Sequence, residues 1–284
     1  MKKLNTAFRF LLTVYFYTVM SLFLIISCAV LFLEGLCLFP LLLIKPRLRI
    51  VILGGTHQRL MDIAYHLCRP FWGKRVLRPL PAGISSKKVI VVVNHTSKID
   101  PWVVGSMLIG HPAIYVIKRS LLKVPIAGWA QYMAGALSVQ FTKERGGWGT
   151  QPGSVQDMMK EALKHLADGI CVVVFPEGTR SVSGRLQPFK NGFFRLAAEN
   201  PDIHILPIAL HNNFRLWPVS SKLLYPGTSY VSCGDLIPAE GLSTEELRDK
   251  THACIFNLLK LSPEFDPLQE QPLTEAAGAR EHGL

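Results

Sequence analysis

A histidine and an aspartate five residues apart, at the end of an apolar run, form the first pair in this chain that could do chemistry. The stretch reads Val91-Val92-Val93-Asn94-His95-Thr96-Ser97-Lys98-Ile99-Asp100-Pro101-Trp102. On a helix of about 3.6 residues per turn, residues five apart point about 140° away from each other. His95 and Asp100 can therefore meet only where the chain still bends, at or before a helix start. Two start signals agree. Ser97-x-x-Asp100 has capping-box spacing, and Asp100 could itself be the N-cap with Pro101 at the first helical position. Either way an imidazole stands at a strand-to-helix turn with a carboxylate in reach, which suits general-base catalysis. A purely structural His–Asp pair has the same spacing, so the pair alone does not choose.

A second polar cluster ends another apolar run. Ile170-Cys171-Val172-Val173-Val174-Phe175 leads into Pro176-Glu177-Gly178-Thr179-Arg180-Ser181, and Gln187-Pro188-Phe189-Lys190-Asn191-Gly192 follows. Glycine lets a backbone approach a ligand closely, Thr179 offers a hydroxyl, and Arg180 carries a fork that fits phosphate oxygens. Lys190 adds a cation. A tight turn with a salt-bridged arginine would look the same. Ligands of open α/β sheets gather off the carboxyl ends of strands, where both clusters fall.

The elements that must position these clusters alternate in type. Strands are expected at Val89–Val93, Ala113–Ile117, Ala136–Phe141, Ile170–Phe175, His204–Leu210 and Tyr230–Cys233. Helices are expected at Pro101–Ile109, Val155–Ala167, Gly192–Glu199 and Thr244–Leu259, the last opened by the capping box Ser243-Thr244-Glu245-Glu246. This alternation predicts an α/β fold, a mixed or mostly parallel sheet flanked by helices.

Ahead of it lies an apolar segment. From Phe10 to Ile44 the only charge is Glu34, and the run is longer than the roughly twenty residues a membrane span needs. It also exceeds a signal peptide's apolar region. Glu34-Gly35 and Pro40 leave open a span followed by a re-entrant segment. Basic residues crowd the far side, from Lys45 through Arg78, so the positive-inside rule puts the bulk of the chain in the cytoplasm, at a bacterial inner membrane or an endoplasmic reticulum. Thr56–Leu80 carries Leu60, Ile63, Ala64, Leu67, Phe71 and Trp72 at helical spacing among cations, as an interfacial helix or an ordinary core helix would. The expected division is a membrane anchor with a basic interfacial helix at 1–80, an α/β domain at 81–262 and a disordered tail at 263–284.

Composition bounds the rest. The 284 residues are 49% hydrophobic with a formal net charge of +11. Through Gly234 there are 27 Lys+Arg against 10 Asp+Glu, and from Asp235 onward 4 against 10. A basic surface fits an anionic lipid surface or nucleic acid, and the apolar segment favours lipid. The six cysteines (28, 37, 68, 171, 233, 254) form no C-x-x-C pair, which points to a reducing compartment.

Taken in order, the clusters carry a resemblance. Asn94-His95-x-x-x-x-Asp100, Phe175-Pro176-Glu177-Gly178-Thr179-Arg180-Ser181, Pro188-Phe189-Lys190-x-Gly192 and Leu206-Pro207-Ile208-Ala209 are similar to the ordered motifs of the glycerolipid acyltransferases. They most resemble the 1-acyl-glycerol-3-phosphate (lysophosphatidic acid) acyltransferases. Lys118, Pro125 and Gly128 fall where that family has a Lys and a Pro-x-x-Gly turn. One motif departs: the family's Gly-x-x-Phe-x-x-Arg is here Gly135-Ala136-Leu137-Ser138-Val139-Gln140-Phe141, so Phe141 stands in the arginine's place and Lys143 and Arg145 are the nearest cations.

The resemblance implies transfer of a fatty acyl group from acyl-CoA or acyl carrier protein to a lysophospholipid hydroxyl. His95 is the implied base and Asp100 its orienting partner. Glu177, Gly178, Thr179 and Arg180, with Lys143, Arg145 and Lys190, would bind the acceptor. Neither metal nor cofactor is expected, and the partners are the donor, the acceptor and membrane lipids. Because the second motif is altered, the acceptor could instead be a lyso-ornithine lipid, another lysophospholipid or glycerol 3-phosphate. A serine hydrolase lacks its G-x-S-x-G elbow, and no nucleotide-binding glycine motif occurs. A non-catalytic lipid-binding adaptor would explain the anchor and the charge but not the paired clusters. A nucleic-acid binder would not explain the apolar segment.

Overall fold

The computed structural model describes residues 6–45, 47–140, 153–274 and 276–278. Its strands are β1 (Trp72–Arg78), β2 (Lys88–Val93), β3 (Ala113–Lys118), β4 (Leu137–Val139), β5 (Cys171–Val174), β6 (Ile203–His211), β7 (Gly227–Cys233) and β8 (Ile237–Pro238). They form one sheet in the order β1-β7-β6-β2-β5-β3-β4, with β8 also on β6. Only β6–β7 and β6–β8 run antiparallel; the other five pairings are parallel. β2 and β5, the strands that feed the two clusters, lie next to each other in the middle. Their valine runs are buried on both faces, as central parallel strands require.

The helices are α1 (Thr6–Cys37), α2 (Phe39–Ile44), α3 (Arg47–Arg49), α4 (Gly55–Leu67), α5 (Asp100–Met107), α6 (Ala127–Met133), α7 (Ser154–Ala167), α8 (Gly192–Ala198), α9 (Asn213–Leu216) and α10 (Thr244–Leu259); a π-helical turn, Ile50–Gly54, leads into α4. Strand periodicity sorts them into two layers. Val89, Val91, Val93, Val173 and Leu206 pack with Phe16, Met20, Tyr65 and Val103 of α1, α4 and α5. Ile90, Val92, Val172, Val174 and Ile205 pack with Met158, Leu166, Phe194 and Ile255 of α7, α8 and α10. The expected α/β architecture is observed, and Thr244–Leu259 with its capping box matches residue for residue. The strand expected at Ala136–Phe141 is shorter, Leu137–Val139, and Phe141 lies outside the described residues.

Two sequence expectations are corrected. The helix read across Thr56–Leu80 stops at Leu67; Trp72–Arg78 is instead an edge strand parallel to β7. Trp72 donates its indole N–H to the Tyr225 carbonyl at 2.8 Å, and Lys74 reaches Ser106 at 2.6 Å. Of the cations read as headgroup contacts, Lys74, Arg75 and Arg78 thus sit on a sheet edge, where charge discourages pairing with other chains. The tail expected to be disordered is packed over residues 263–274. Glu270 meets His211 at 2.7 Å and Arg215 at 2.9 Å, Arg185 donates to the Gln271 carbonyl at 2.6 Å, and Leu273 N–H donates to Leu186 O at 2.8 Å. Its acidic residues find basic partners on the body, which a reading of the tail by itself could not anticipate.

α1 is long and apolar enough to cross a membrane. One face, Thr13, Phe16, Met20, Phe23, Ser27 and Leu31, is buried at helical spacing. Thr13 Oγ1 accepts from Leu224 N–H, Phe16 packs on Trp72 and Trp217, Phe23 on Trp102, and Leu31 on Leu53 and Ala130. The opposite face, including Leu11, Leu22, Ile25, Ile26, Phe32 and Leu33, is exposed. A crossing helix would carry these packed elements into the bilayer with it. α1 is docked lengthwise on the domain, and that departs from a free-standing span.

Candidate active site

β2 ends at Val93 and α5 begins at Asp100, and the intervening turn brings His95 back onto Asp100: Nδ1 lies 2.8 Å from Asp100 Oδ2. Asp100 occupies the first helical position and Ile99 precedes it as cap. Half of a capping box forms, because Asp100 Oδ2 accepts from the N–H groups of Thr96 and Ser97, each at 2.7 Å. The other half does not: Ser97 Oγ donates to the Trp217 carbonyl. Asp100 is fully buried, whereas the His95 side chain keeps 18% of its surface. With Nδ1 engaged by the carboxylate, Nε2 is the ring nitrogen left to act on a ligand. The imidazole stacks on Phe175 with ring centroids 4.2 Å apart. Behind the turn, Asn94 exchanges hydrogen bonds with both backbone groups of Leu210, locking β2 to β6.

The second cluster closes against the first. Ser181 N–H donates to the His95 carbonyl at 2.8 Å, so the Pro176–Ser181 turn and the His95 turn share a wall. Glu177 is fully buried beneath them. Its Oε1 accepts from His95 N–H at 2.7 Å and its Oε2 from Gln187 Nε2 at 2.8 Å. Burial raises its pKa well above the usual carboxylate range and nearby Asp100 adds to this, while these donors pull it back. Gly178 takes φ +73°, and a Cβ there would stand 2.6 Å from Lys190 Nζ, so the ammonium lies against the turn's backbone. Burial lowers the pKa of Lys190, with Lys118 contributing; it lowers that of Arg180 against the pull of Asp100, and that of Lys98 with Arg180 contributing. Lys118 is thus felt at Lys190, and Lys98 and Asp100 both lie within electrostatic reach of Arg180.

Of the residues read from the sequence, His95, Asp100, Glu177, Gly178, Thr179, Arg180 and Lys190 converge on the carboxyl ends of β2 and β5. Lys143 and Arg145 lie outside the described residues. Glu177 faces inward, with both carboxylate oxygens held by the scaffold. Sequence reasoning missed Phe175 as a ring platform, Gln187 as the partner of Glu177, and Asn213, whose Nδ2 donates to Asp100 Oδ1 at 2.8 Å. Asn213 follows a strand end and reads as turn chemistry. Among the described residues, no three His, Cys, Asp or Glu side chains are grouped to hold a metal ion.

Comparison with known proteins places this geometry. The family model described as Acyltransferase matches residues 73–211, which contain both clusters. The chain is 28% identical over 235 residues to a 1-acyl-sn-glycerol-3-phosphate acyltransferase of Pseudomonas aeruginosa, covering 82% of this chain and 84% of that one. It is 30% identical to an uncharacterized acyltransferase of Schizosaccharomyces pombe over 58% of this chain and 57% of that one. The human 1-acyl-sn-glycerol-3-phosphate acyltransferase alpha is likewise 30% identical, over 57% and 54%. The matched region thus spans little more than half of the yeast and human proteins. The crystal structure of the 1-acyl-sn-glycerophosphate (LPA) acyltransferase from Thermotoga maritima superposes with a TM-score of 0.68 over 92% of this chain and 100% of that one, at 20% identity, and so shares the fold. The histidine turn and the Glu-Gly-Thr-Arg turn both lie inside residues 73–211, the region of this chain that matches the acyltransferase family.

Proposed function

We propose that the protein transfers a fatty acyl group from a thioester, acyl-CoA or acyl carrier protein, to the free hydroxyl of lysophosphatidic acid, giving phosphatidic acid. His95 Nε2 takes the hydroxyl proton as the oxygen attacks the thioester carbonyl. The tetrahedral adduct then collapses, the C–S bond breaks, and the thiolate leaves with the proton returned by His95. Asp100 holds the ring in the tautomer with hydrogen on Nδ1 and stabilises the imidazolium between the two transfers. Arg180, Lys190 and the backbone of Gly178 and Thr179 bind the phosphate, with Lys143 and Arg145 assigned to the same task. The observation that carries this reading is the contact of His95 Nδ1 with the buried Asp100 carboxylate, on an imidazole that keeps 18% of its surface.

The substrates dissolve in membranes, and α1 offers a matching surface. In this proposal the helix keeps its buried face on the domain and sinks its exposed face into one leaflet, on the cytoplasmic side of a bacterial inner membrane or endoplasmic reticulum. The reaction is tested by thiol release from oleoyl-CoA in membranes containing the wild type or His95→Ala, with lysophosphatidic acid or glycerol 3-phosphate as acceptor. Release that depends on lysophosphatidic acid and falls by about 10²- to 10⁴-fold in the variant is expected. Undiminished turnover by His95→Ala would sink the mechanism, and preference for glycerol 3-phosphate would sink the acceptor.

A further inference from the structure

We infer that Asn213 is a positioning residue of the catalytic pair, fixing the plane of the Asp100 carboxylate and through it the ring of His95. This rests on the reading of His95 as the base. The contacts on Asp100 are unequal. His95 Nδ1, Thr96 N–H and Ser97 N–H all converge on Oδ2, and Asn213 Nδ2 lies at 2.8 Å on Oδ1. Donors on Oδ2 already restrain the carboxylate's last torsion, which is intrinsically broad for sp³–sp² bonds, but without a partner on Oδ1 the plane keeps the freedom to rock about that anchor. A donor on the second oxygen removes that freedom. Asp100 and Asn213 are both fully buried, so water does not take the donor's place.

The chain presents Asn213 with care. Asn212 takes φ +73°, a left-handed conformation that asparagine tolerates better than most side chains, and anchors itself by donating from Nδ2 to the Thr228 carbonyl at 2.8 Å. That reversal ends β6 and opens α9 with Asn213 aimed back at Asp100. A few residues on, the Trp217 carbonyl accepts from Ser97 Oγ at 3.0 Å, and the Lys98 ammonium sits 4.7 Å from the Trp217 ring centroid. The segment 212–217 therefore holds the His95–Asp100 turn at two points. It begins just past the residues the family model matches, 73–211.

The test uses the full chain in detergent with Asn213→Leu, which has a similar volume and no donor, and Asn213→Asp, which keeps the shape. Steady-state kcat and both KM values are measured, alone and combined with Asp100→Asn. The His95 Nδ1–H proton resonance is followed in parallel, assigned by its loss in His95→Ala. A positioning role predicts that kcat falls about 10- to 100-fold, the range seen for hydrogen-bond partners that orient metal-ligating histidines, with KM values unchanged. It also predicts that the loss largely disappears in the Asp100→Asn background and that the Nδ1–H resonance moves or broadens. An equal loss in both backgrounds, or an unshifted resonance with unchanged kcat, would overturn it. Should the wild type fail to use lysophosphatidic acid, the acceptor reading falls, and the resonance alone still decides the role of Asn213.

Discussion

Glu177 shows at the scale of one residue how a motif position can differ from its expected task. Gly178, Thr179 and Arg180 after it are partly exposed, yet its carboxylate lies under His95 and ties that residue's backbone to Gln187. Glu177→Gln turns an amide N–H₂ toward one of these N–H donors and leaves a buried polar group unpaired, at a cost of about 1–3 kcal/mol. The expected outcome is a lower melting temperature and a lower kcat with the acceptor KM unchanged. A KM effect alone, measured by varying the acceptor, would return Glu177 to substrate binding. Gly178→Ala behaves differently: at φ +73° its Cβ meets Lys190, so a raised acceptor KM is expected as the ammonium is displaced. The His95–Asp100 pair was legible because both partners lie in one turn. Asn213 is 113 residues from Asp100, and no local pattern announces a contact made only by the sheet's topology.

Elements were legible where period and punctuation agreed. β2 and β5 show as unbroken β-branched runs, and α10 shows by its capping box. The Thr56–Leu80 reading failed at Pro70, whose pre-proline restriction ends a helix; the apolar spacing beyond it belongs to β1. The packed segment 263–274 was hidden because its partners, His211, Arg215, Arg185 and Leu186, all lie elsewhere in the chain. Leu273 is buried, and Leu273→Asp should lower both melting temperature and turnover, since Leu186 leads directly into Gln187. Intact activity in that variant, by the thiol assay, would uncouple the strap from the site.

α4 adds a pH-dependent contact of its own. His57 reaches Ser27 Oγ on α1 at 2.6 Å through Nδ1 and accepts from Gln131 Nε2 on α6 at 3.3 Å, and burial lowers its pKa to about 4. The unfolded chain binds a proton near pH 6.5 that the folded one refuses until about 4. Stability should therefore fall as pH drops through that window, and melting curves of His57→Leu should show a flatter pH dependence than those of the wild type.

At the scale of the whole molecule, the proposed function makes the α1 layer the link between the site and lipid. α1 uses one stripe for the domain and another for its surroundings, so substitutions on the two stripes should separate. Phe16→Ala removes a buried ring between Trp72 and Trp217 and should destabilise the fold by about 3–5 kcal/mol. Ile25→Glu with Leu33→Glu should leave the melting temperature near wild type and move protein from the membrane pellet to the supernatant. A pellet unchanged by the double substitution would mean that the exposed stripe does not hold lipid. Length and apolarity suggest a span, and α1 meets both, yet nothing in an apolar run tells which residues another part of the chain will cover.

The parallel pairing of β1 with β7 also sets an order on biosynthesis. A nascent chain that has emerged as far as residue 211 already carries His95, Asp100, Arg180 and Lys190. It still lacks Asn213, the strand that covers β1 and the neighbour of β6, so two strand edges stay open beside an apolar helix. The residues of the site are thus spelled out well before the sheet is closed, and during that interval its open edges are exposed to pairing with other chains.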